Sequence, residues 1–350
     1  MPQFASLISV ATAIPPYCFE QRDVARAAHQ HFSQRFGDFE RLARVFESPG
    51  VLRRYGVRPL EWYLQPLGWP ERSAAYLDGA TTMFVEAAQK ALDSAGCVAS
   101  DVDTVVTISS TGIATPSLDA RVSTQMGFRA DIERVPVFGL GCAGGVAGLS
   151  IAARLAQSRP GSLVLLVAVE ACSLSFRMDK LTKENIVATS LFGDGAAAVV
   201  LCATSGGLAH IEMSGQHTWP DTLDIMGWSV DEEGLGVIFD RAIPPFAEAH
   251  MLSAVTGMLN KAKLNISDFD RLAFHPGGTK VVTALERAFA LDQGSLLEER
   301  TILADYGNMS APTALFVLER LVEAGLPART LLTAMGPGFT TSCVSLRRAA

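Results

Sequence analysis

Val135-Pro-Val-Phe-Gly-Leu-Gly-Cys142-Ala-Gly-Gly-Val-Ala-Gly-Leu-Ser-Ile-Ala-Ala-Arg-Leu-Ala-Gln157 changes character once, at the cysteine. The residues before it are mostly apolar, with the β-branched valines of a short buried strand, and Ala143 to Gln157 reads as a buried helix. Cys142 therefore sits at a strand-to-helix turn. Unpaired N–H groups and the macrodipole at a helix N-terminus favour a thiolate, the nucleophilic form of the side chain. The flanking glycines let backbone and substrate come close to the sulfur.

Two other segments read the same way. Arg271-Leu-Ala-Phe-His275-Pro-Gly-Gly278 leads into Thr279-Lys-Val-Val-Thr-Ala-Leu-Glu, and Ala304-Asp-Tyr-Gly-Asn308-Met-Ser310 leads into Ala311-Pro-Thr-Ala-Leu-Phe-Val-Leu-Glu-Arg. Each is read as strand, reactive residue, helix. Taken singly, a buried Cys is most often a small core residue, and an Asn beside glycine is most simply a turn or cap. Three such residues at three equivalent junctions make a nucleophile with two polar partners the better reading.

Outside these junctions, strands alternate with helices in both halves, from a first strand in the opening stretch Met1 to Pro16 to the paired strand patterns around Gly336-Pro337-Gly338. This is an α/β chain of two similar units facing each other, 1–205 and 206–350. Such a pair would set Cys142 of one half opposite His275 and Asn308 of the other, at a cleft.

Bulk properties narrow the function. The 350 residues are 49% hydrophobic and 19% charged, as in a soluble enzyme with ample core. No stretch reaches the ~20 uninterrupted apolar residues of a membrane span, and the N-terminal residues lack the basic region of a signal peptide. A cytoplasmic protein without integral membrane association is expected. The net charge of -7 argues against a nucleic-acid partner. Cys18, Cys97, Cys142, Cys172, Cys202 and Cys343 lack the short paired spacing of a zinc site and read as free thiols. Arg35, Arg41, Arg44, Arg53 and Arg54 form a local basic cluster, either a solvated helix face or a clamp for a phosphate-bearing tail.

With Glu170-Ala-Cys172-Ser-Leu-Ser175-Phe-Arg177, Leu191-Phe192-Gly-Asp-Gly-Ala-Ala-Ala198, His275-Pro-Gly-Gly278, Gly307-Asn-Met-Ser310 and Gly336-Pro-Gly-Phe339 added, the chain resembles the type III polyketide synthases, the chalcone synthase-like branch of the thiolase superfamily. The resemblance runs nearly end to end. It implies a thiolase fold of two pseudo-symmetric αβαβα halves, a homodimer, and coenzyme A thioesters as substrates with no metal or redox cofactor. It makes Cys142 the nucleophile and His275 its proton partner, holding the thiolate as an ion pair. It gives His275 and Asn308 the stabilisation of the malonyl-CoA enolate.

The resemblance also assigns a substrate wall. Phe192 matches a gatekeeper phenylalanine between coenzyme A tunnel and reaction cavity, and Arg41 and Arg44 fall on two coenzyme A contacts, the third falling near Ser48. Cys172, Ser175, Trp228 and Val237 replace cavity residues of the plant pattern, and Thr115 replaces a Met that reaches across the dimer. Ser110, Ser310, Gly336, Pro337 and Gly338 complete the expected wall. Cys172, Ser175 and Val237 are small enough to open an apolar tunnel, and Leu181-Thr-Lys-Glu-Asn-Ile-Val-Ala-Thr189 resembles the bacterial alkylpyrone and alkylresorcinol enzymes. The expected substrates are a long-chain acyl-CoA starter and malonyl-CoA. The alternatives are a malonyl-primed tetrahydroxynaphthalene synthase, a single-condensation enzyme like ketoacyl-ACP synthase III, and a non-catalytic acyl-CoA-binding subunit.

Overall fold

A computed structural model describes residues 4–33, 44–46, 50–177 and 182–349. Its strands are β1 Ala5–Ala13, β2 Tyr17–Glu20, β3 Arg53–Gly56, β4 Thr104–Ile108, β5 Glu133–Val137, β6 Leu163–Ala171, β7 Asp194–Ala203, β8 Ala209–Thr218, β9 Met226–Asp231, β10 Gly234–Phe239, β11 Arg271–Phe274, β12 Arg329–Gly336 and β13 Thr340–Arg348. Nine of them form one sheet in the order β11-β12-β13-β8-β1-β7-β6-β4-β5.

That order contains a repeat. Reading outward from the middle, β1-β7-β6-β4 and β8-β13-β12-β11 run with the same sense at each step: antiparallel, antiparallel, parallel. The two runs meet where β1 pairs antiparallel with β8 at Ala5↔Ile211, Ser6↔His210 and Leu7↔Ala209. The α/β architecture and its two similar halves are therefore built into the strand pairing. β5 extends the first half beyond β4.

The period-2 alternation of a strand explains how this sheet separates two cores. On β7, Ala196, Ala198 and Val200 enter one apolar cluster while Ala197, Val199 and Leu201 enter the other. On β6, Leu165, Val167, Val169 and Ala171 face the first, and Val164, Leu166 and Ala168 the second. Strands covered on both faces are apolar almost throughout, as both sequences are. The Trp69–Ala95 helix packs in the first cluster, and the Gly144–Ser158 and Ala311–Glu323 helices in the second.

Those last two helices position the reactive residues. They cross so closely that a Cβ on Gly145 would stand 2.3 Å from the carbonyl oxygen of Ala311. Both begin at this crossing, so the turns carrying Cys142 and Asn308 lie side by side.

Two local expectations change. The strand before Cys142 is β5, an edge strand with Glu133, Arg134 and Pro136 exposed rather than a buried one; a proline cannot donate to a ladder and belongs at an edge. The segment before Asn308 is the C-terminal end of the Leu297–Tyr306 helix, not a strand. Its acidic first turn, Glu298 and Glu299, suits a helix N-terminus.

Candidate active site

Cys142 lies in a single 3-10 turn, Gly141–Ala143, that runs into the Gly144–Ser158 helix. The turn is held from three sides. The Ser110 hydroxyl accepts hydrogen bonds from the amides of Gly139 and Gly141, both at 3.2 Å. Ser110, expected against substrate, is thus a brace for the Cys142 turn. A Cβ on Gly336 would stand 2.4 Å from Leu140 O and 2.7 Å from Ala143 N, and one on Gly141 would meet Pro337 Cδ at 2.6 Å. Gly336 and Pro337 therefore form a surface against which the cysteine turn is pressed, while Gly338 closes the β12–β13 hairpin at φ 87°.

The third side is Asn308. The Cys142 thiol points at Asn308 Oδ1, 3.9 Å away, and the same oxygen accepts from Ser310 N at 2.8 Å. Ser310 reaches this position at φ 61°, ψ -127°, a conformation a non-glycine residue rarely adopts. Asn308 Nδ2 is left facing Gly277, whose carbonyl it meets at 3.3 Å. His275 follows β11, its amide donating to Thr333 O at 2.8 Å. It is 5% exposed, and neither ring nitrogen has a hydrogen-bond partner among the described residues.

Electrostatics in this closed site favour neutral forms. Burial pushes the Cys142 thiol up to about 11, partly offset by hydrogen bonds with the Ser310 and Asn308 side chains. Burial alone pulls His275 down to about 3. Burial thus favours a neutral thiol and a neutral imidazole over the ion pair that the family resemblance implies.

Glu170, which the sequence presents only as the start of a motif, is a buried titratable group beside the site. It ends β6 fully buried, and its carboxylate accepts from Ser110 N, Thr111 N, the Thr111 hydroxyl and the Ser109 hydroxyl. Burial raises it to about 7 against those donors. It is close enough to Cys142 to oppose a thiolate there. The signal was available in the sequence: a lone carboxylate at the end of an otherwise apolar strand.

Phe192 joins the two halves. It forms an isolated parallel bridge with Asn308, through Asn308 N to Leu191 O at 2.8 Å and Gly193 N to Asn308 O at 3.1 Å. Its ring meets Trp228 and Phe239 edge to face, with centroids 6.4 and 6.3 Å away. Trp228 and Val237 are cross-strand partners on the β9–β10 ribbon. Phe239, on the same face of β10 as Val237, is the second aromatic beside Phe192, one the sequence reading did not single out.

Two cavities adjoin this wall. A narrow one of about 50 Å³ lies among Cys172, Ser175, Phe176 and Phe192 and the Val24, Ala27 and Ala28 face of the Gln21–Phe32 helix. The Ser175 hydroxyl is engaged by the Cys172 carbonyl at 2.7 Å, which leaves the wall largely apolar. The other, of about 710 Å³, opens past Leu191, Phe239, Gly277 and Gly278 to solvent.

The remaining expectations separate. Thr115 is exposed, in the loop after β4 that carries the cis Thr115–Pro116 bond. Arg41 and Ser48 lie outside the described residues, as does the side chain of Arg44, whose backbone is in the Arg44–Phe46 turn. Two of the clustered arginines have other work. Arg53 pairs with Asp305 at 3.0 Å, and Arg54, 3% exposed, donates to Phe192 O at 3.1 Å and to Gln21 Oε1 at 2.9 Å. Among the described residues no group of three or more His, Cys, Asp or Glu is placed to hold a metal ion, and no helix is long and apolar enough to cross a membrane.

Comparison with known proteins agrees with this geometry. Residues 70–205 match the N-terminal domain of chalcone and stilbene synthases and residues 210–349 the C-terminal domain. The chain is 37% identical to 1,3,6,8-tetrahydroxynaphthalene synthase of Streptomyces peucetius subsp. caesius, over 98% of this chain and 93% of that protein. It is 34% identical to a putative chalcone synthase of Bacillus subtilis (strain 168), over 96% and 97%. The crystal structure of 1,3,6,8-tetrahydroxynaphthalene synthase from Streptomyces coelicolor A3(2) superposes with a TM-score of 0.93 over 99% of both chains, at 28% identity. Family domains matching both parts of the chain, relatives alike over nearly its whole length and the shared fold place the chain in the chalcone and stilbene synthase family, the type III polyketide synthases, condensing enzymes of the acyltransferase class.

Proposed function

We propose that this enzyme loads a long-chain acyl group from coenzyme A onto Cys142 and extends it with malonyl-CoA to alkylpyrones or alkylresorcinols. The observation that carries this reading is the apolar cavity behind Phe192. Its helix face offers Val24, Ala27 and Ala28, short apolar side chains that present no hydrogen-bond partner to a phenolic ring. Each methylene that enters gains about 0.8 kcal/mol.

The proposed chemistry uses Cys142, His275 and Asn308. Neutral His275 offers one lone pair and one N–H. The lone pair takes the Cys142 proton as the sulfur attacks the acyl-CoA carbonyl, and the departing coenzyme A sulfur takes that proton away. Malonyl-CoA then loses CO2. The electron pair left behind forms an enolate whose oxygen accepts hydrogen bonds from the His275 N–H and from Asn308 Nδ2, fixed donors that need no reorganisation. The enolate carbon attacks the Cys142 thioester, a C–C bond forms as the C–S bond breaks, and the thiolate is released for the next round. Among the described residues Asn308 Nδ2 is held by one long bond, to Gly277 O, so it turns to substrate at small cost.

No metal or redox cofactor enters this sequence. We further propose that the active form is a homodimer in the cytoplasm, with Cys142 supplied by the 1–205 lobe and His275 and Asn308 by the 206–350 lobe.

A second reading is a malonyl-primed synthase making tetrahydroxynaphthalene, favoured by the 37% identity with an enzyme of that name. Product mass spectrometry decides between them, using malonyl-CoA alone and with acyl-CoA starters from acetyl to long-chain, with Cys142→Ala as control. Alkylated tri- or tetraketides from long starters support the first reading. A pentaketide from malonyl-CoA alone supports the second.

A further inference from the structure

His275 and Asn308 stand on different elements, and one helix ties them. Leu297–Tyr306 ends at Gly307, so its C-terminal end carries the Asn308 turn. Its first turn reaches toward His275. β11 is an edge strand of the sheet and pairs with β12 on one side, where His275 N donates to Thr333 O at 2.8 Å. Successive residues of a strand turn their N–H and C=O groups to opposite sides, so Leu272 and Phe274 present theirs to the open edge. Buried groups of this kind need partners from elsewhere in the fold.

Arg271 and Glu299 supply them. The Arg271 guanidinium donates to Leu272 O, and Phe274 N donates to Glu299 Oε1 at 3.0 Å. The second carboxylate oxygen of Glu299 accepts from Arg271 Nη2 at 2.6 Å, and Glu298 accepts from the same nitrogen at 2.9 Å. Glu299 is completely buried. The next residue, Arg300, repeats the tie beyond His275, its Nη2 donating at 2.7 Å to Glu286 on the Thr279–Ala288 helix. The elements before and after His275-Pro-Gly-Gly278 are thus both anchored to the first turn of the helix that ends at Asn308. From Glu299 to Tyr306 that helix rises about 10 Å.

A buried ion pair adds little stability over apolar packing of the same volume. What Arg271 and Glu299 supply is a fixed length. We propose that Glu299 is a positioning residue for the condensation: its carboxylate, held by Arg271, sets the spacing of His275 and Asn308 so that both donors meet the enolate oxygen at once. The inference rests on the proposed use of these two donors in malonyl-CoA decarboxylation, where donors fixed in advance stabilise the developing charge. The long bond from Asn308 Nδ2 to Gly277 O is given up when Nδ2 turns to substrate, and the helix then keeps the spacing.

Two substitutions separate length from charge. Glu299→Gln keeps the length and an acceptor for Phe274 N but loses the charge, whereas Glu299→Asp keeps the charge and is shorter by one carbon–carbon bond, about 1.5 Å. The assay is conversion of malonyl-CoA to CO2 and acetyl-CoA, the enolate carbon taking its proton from solvent. Glu299→Asp is expected to lower kcat by about 10- to 100-fold with KM within about 3-fold of wild type, and Glu299→Gln to stay within about 3-fold in both. The reverse order, with Glu299→Asp active and Glu299→Gln impaired, is what an ion pair serving stability alone would give, and it overturns the proposal, as does a wild-type kcat in both variants. Hydrogen exchange followed by mass spectrometry reads the same tie without turnover. Residues 271–278 and 303–310 should exchange faster together in Glu299→Asp and keep the wild-type rate in Glu299→Gln; acceleration in neither segment, or in one alone, overturns the proposal. If Glu299→Asp does not fold, Glu299→Gln decides: kcat and exchange near wild type support the tie, and a fall of about 10-fold in kcat refutes it. A wild type that leaves malonyl-CoA intact refutes the proposed reaction, and the exchange measurement then judges the tie by itself.

Discussion

Replacing His275 with glutamine removes a group that the fold holds neutral, and the result is a stability difference that grows as pH falls. In the unfolded chain the imidazole takes up a proton below about pH 6.5, whereas in the folded chain burial delays uptake to about 3. Between those values the unfolded state binds the extra proton, so stability from this group is complete above about pH 6.5 and is lost as pH falls toward 3. At pH 4 the difference amounts to about 3 kcal/mol. The shift needs no discount for solvent, since the ring is 5% exposed. The assay is denaturant unfolding of wild type and His275→Gln from pH 8 to pH 4, compared as a difference curve. Glu170, raised by burial to about 7, acts in the opposite sense, but it is present in both proteins and cancels. The expected curve is level near neutral pH and moves against the wild type by about 3 kcal/mol in acid. A difference that stays level, or one in which the wild type loses its advantage as pH rises, would refute the neutral resting pair. The latter is the sign of an imidazolium held by a Cys142 thiolate.

Gly336→Ala should cost about 1–3 kcal/mol in melting stability, because the new Cβ overlaps the Leu140 carbonyl at 2.4 Å. It should lower kcat by roughly 100-fold, as misplacing a nucleophile by about 1 Å does; a wild-type kcat would mean that the Cys142 turn does not depend on this contact. Ser110→Ala leaves the buried Gly141 amide without its acceptor and should destabilise by about 1–3 kcal/mol, with kcat reduced more than KM is changed. Phe192→Ala removes the ring that contacts both Trp228 and Phe239, and should change the distribution of product lengths by mass spectrometry at a stability cost below about 3 kcal/mol. An unaltered product profile would show that Phe192 is packing only.

Much of the site was legible because its chemistry is local. Glycine on both sides of Cys142, the His275-Pro-Gly-Gly turn and the Gly307-Asn308 step each mark a place where backbone must come close to something, and that marking survives in one dimension. The helices after Cys142, His275 and Asn308 were legible by period. The strand before Cys142 was misjudged as buried because valines pack equally well on an edge. The segment before Asn308 was misjudged because a few residues between two helices carry too little pattern.

The sequence by itself determined the class of fold and pointed to Cys142, His275 and Asn308 as the candidate reactive residues, because apolar periodicity and reactive side chains at chain turns are properties of short segments. Only the tertiary structure decided how those segments meet. It showed that Phe192 and Asn308 share one bridge across the two halves, that Ser110 braces the Cys142 turn, and that Arg54 supports the Phe192 carbonyl. It also supplied the burial that favours the neutral forms of Cys142 and His275. Protonation depends on how much water the surrounding chain removes, and desolvation is summed over residues that no single segment contains.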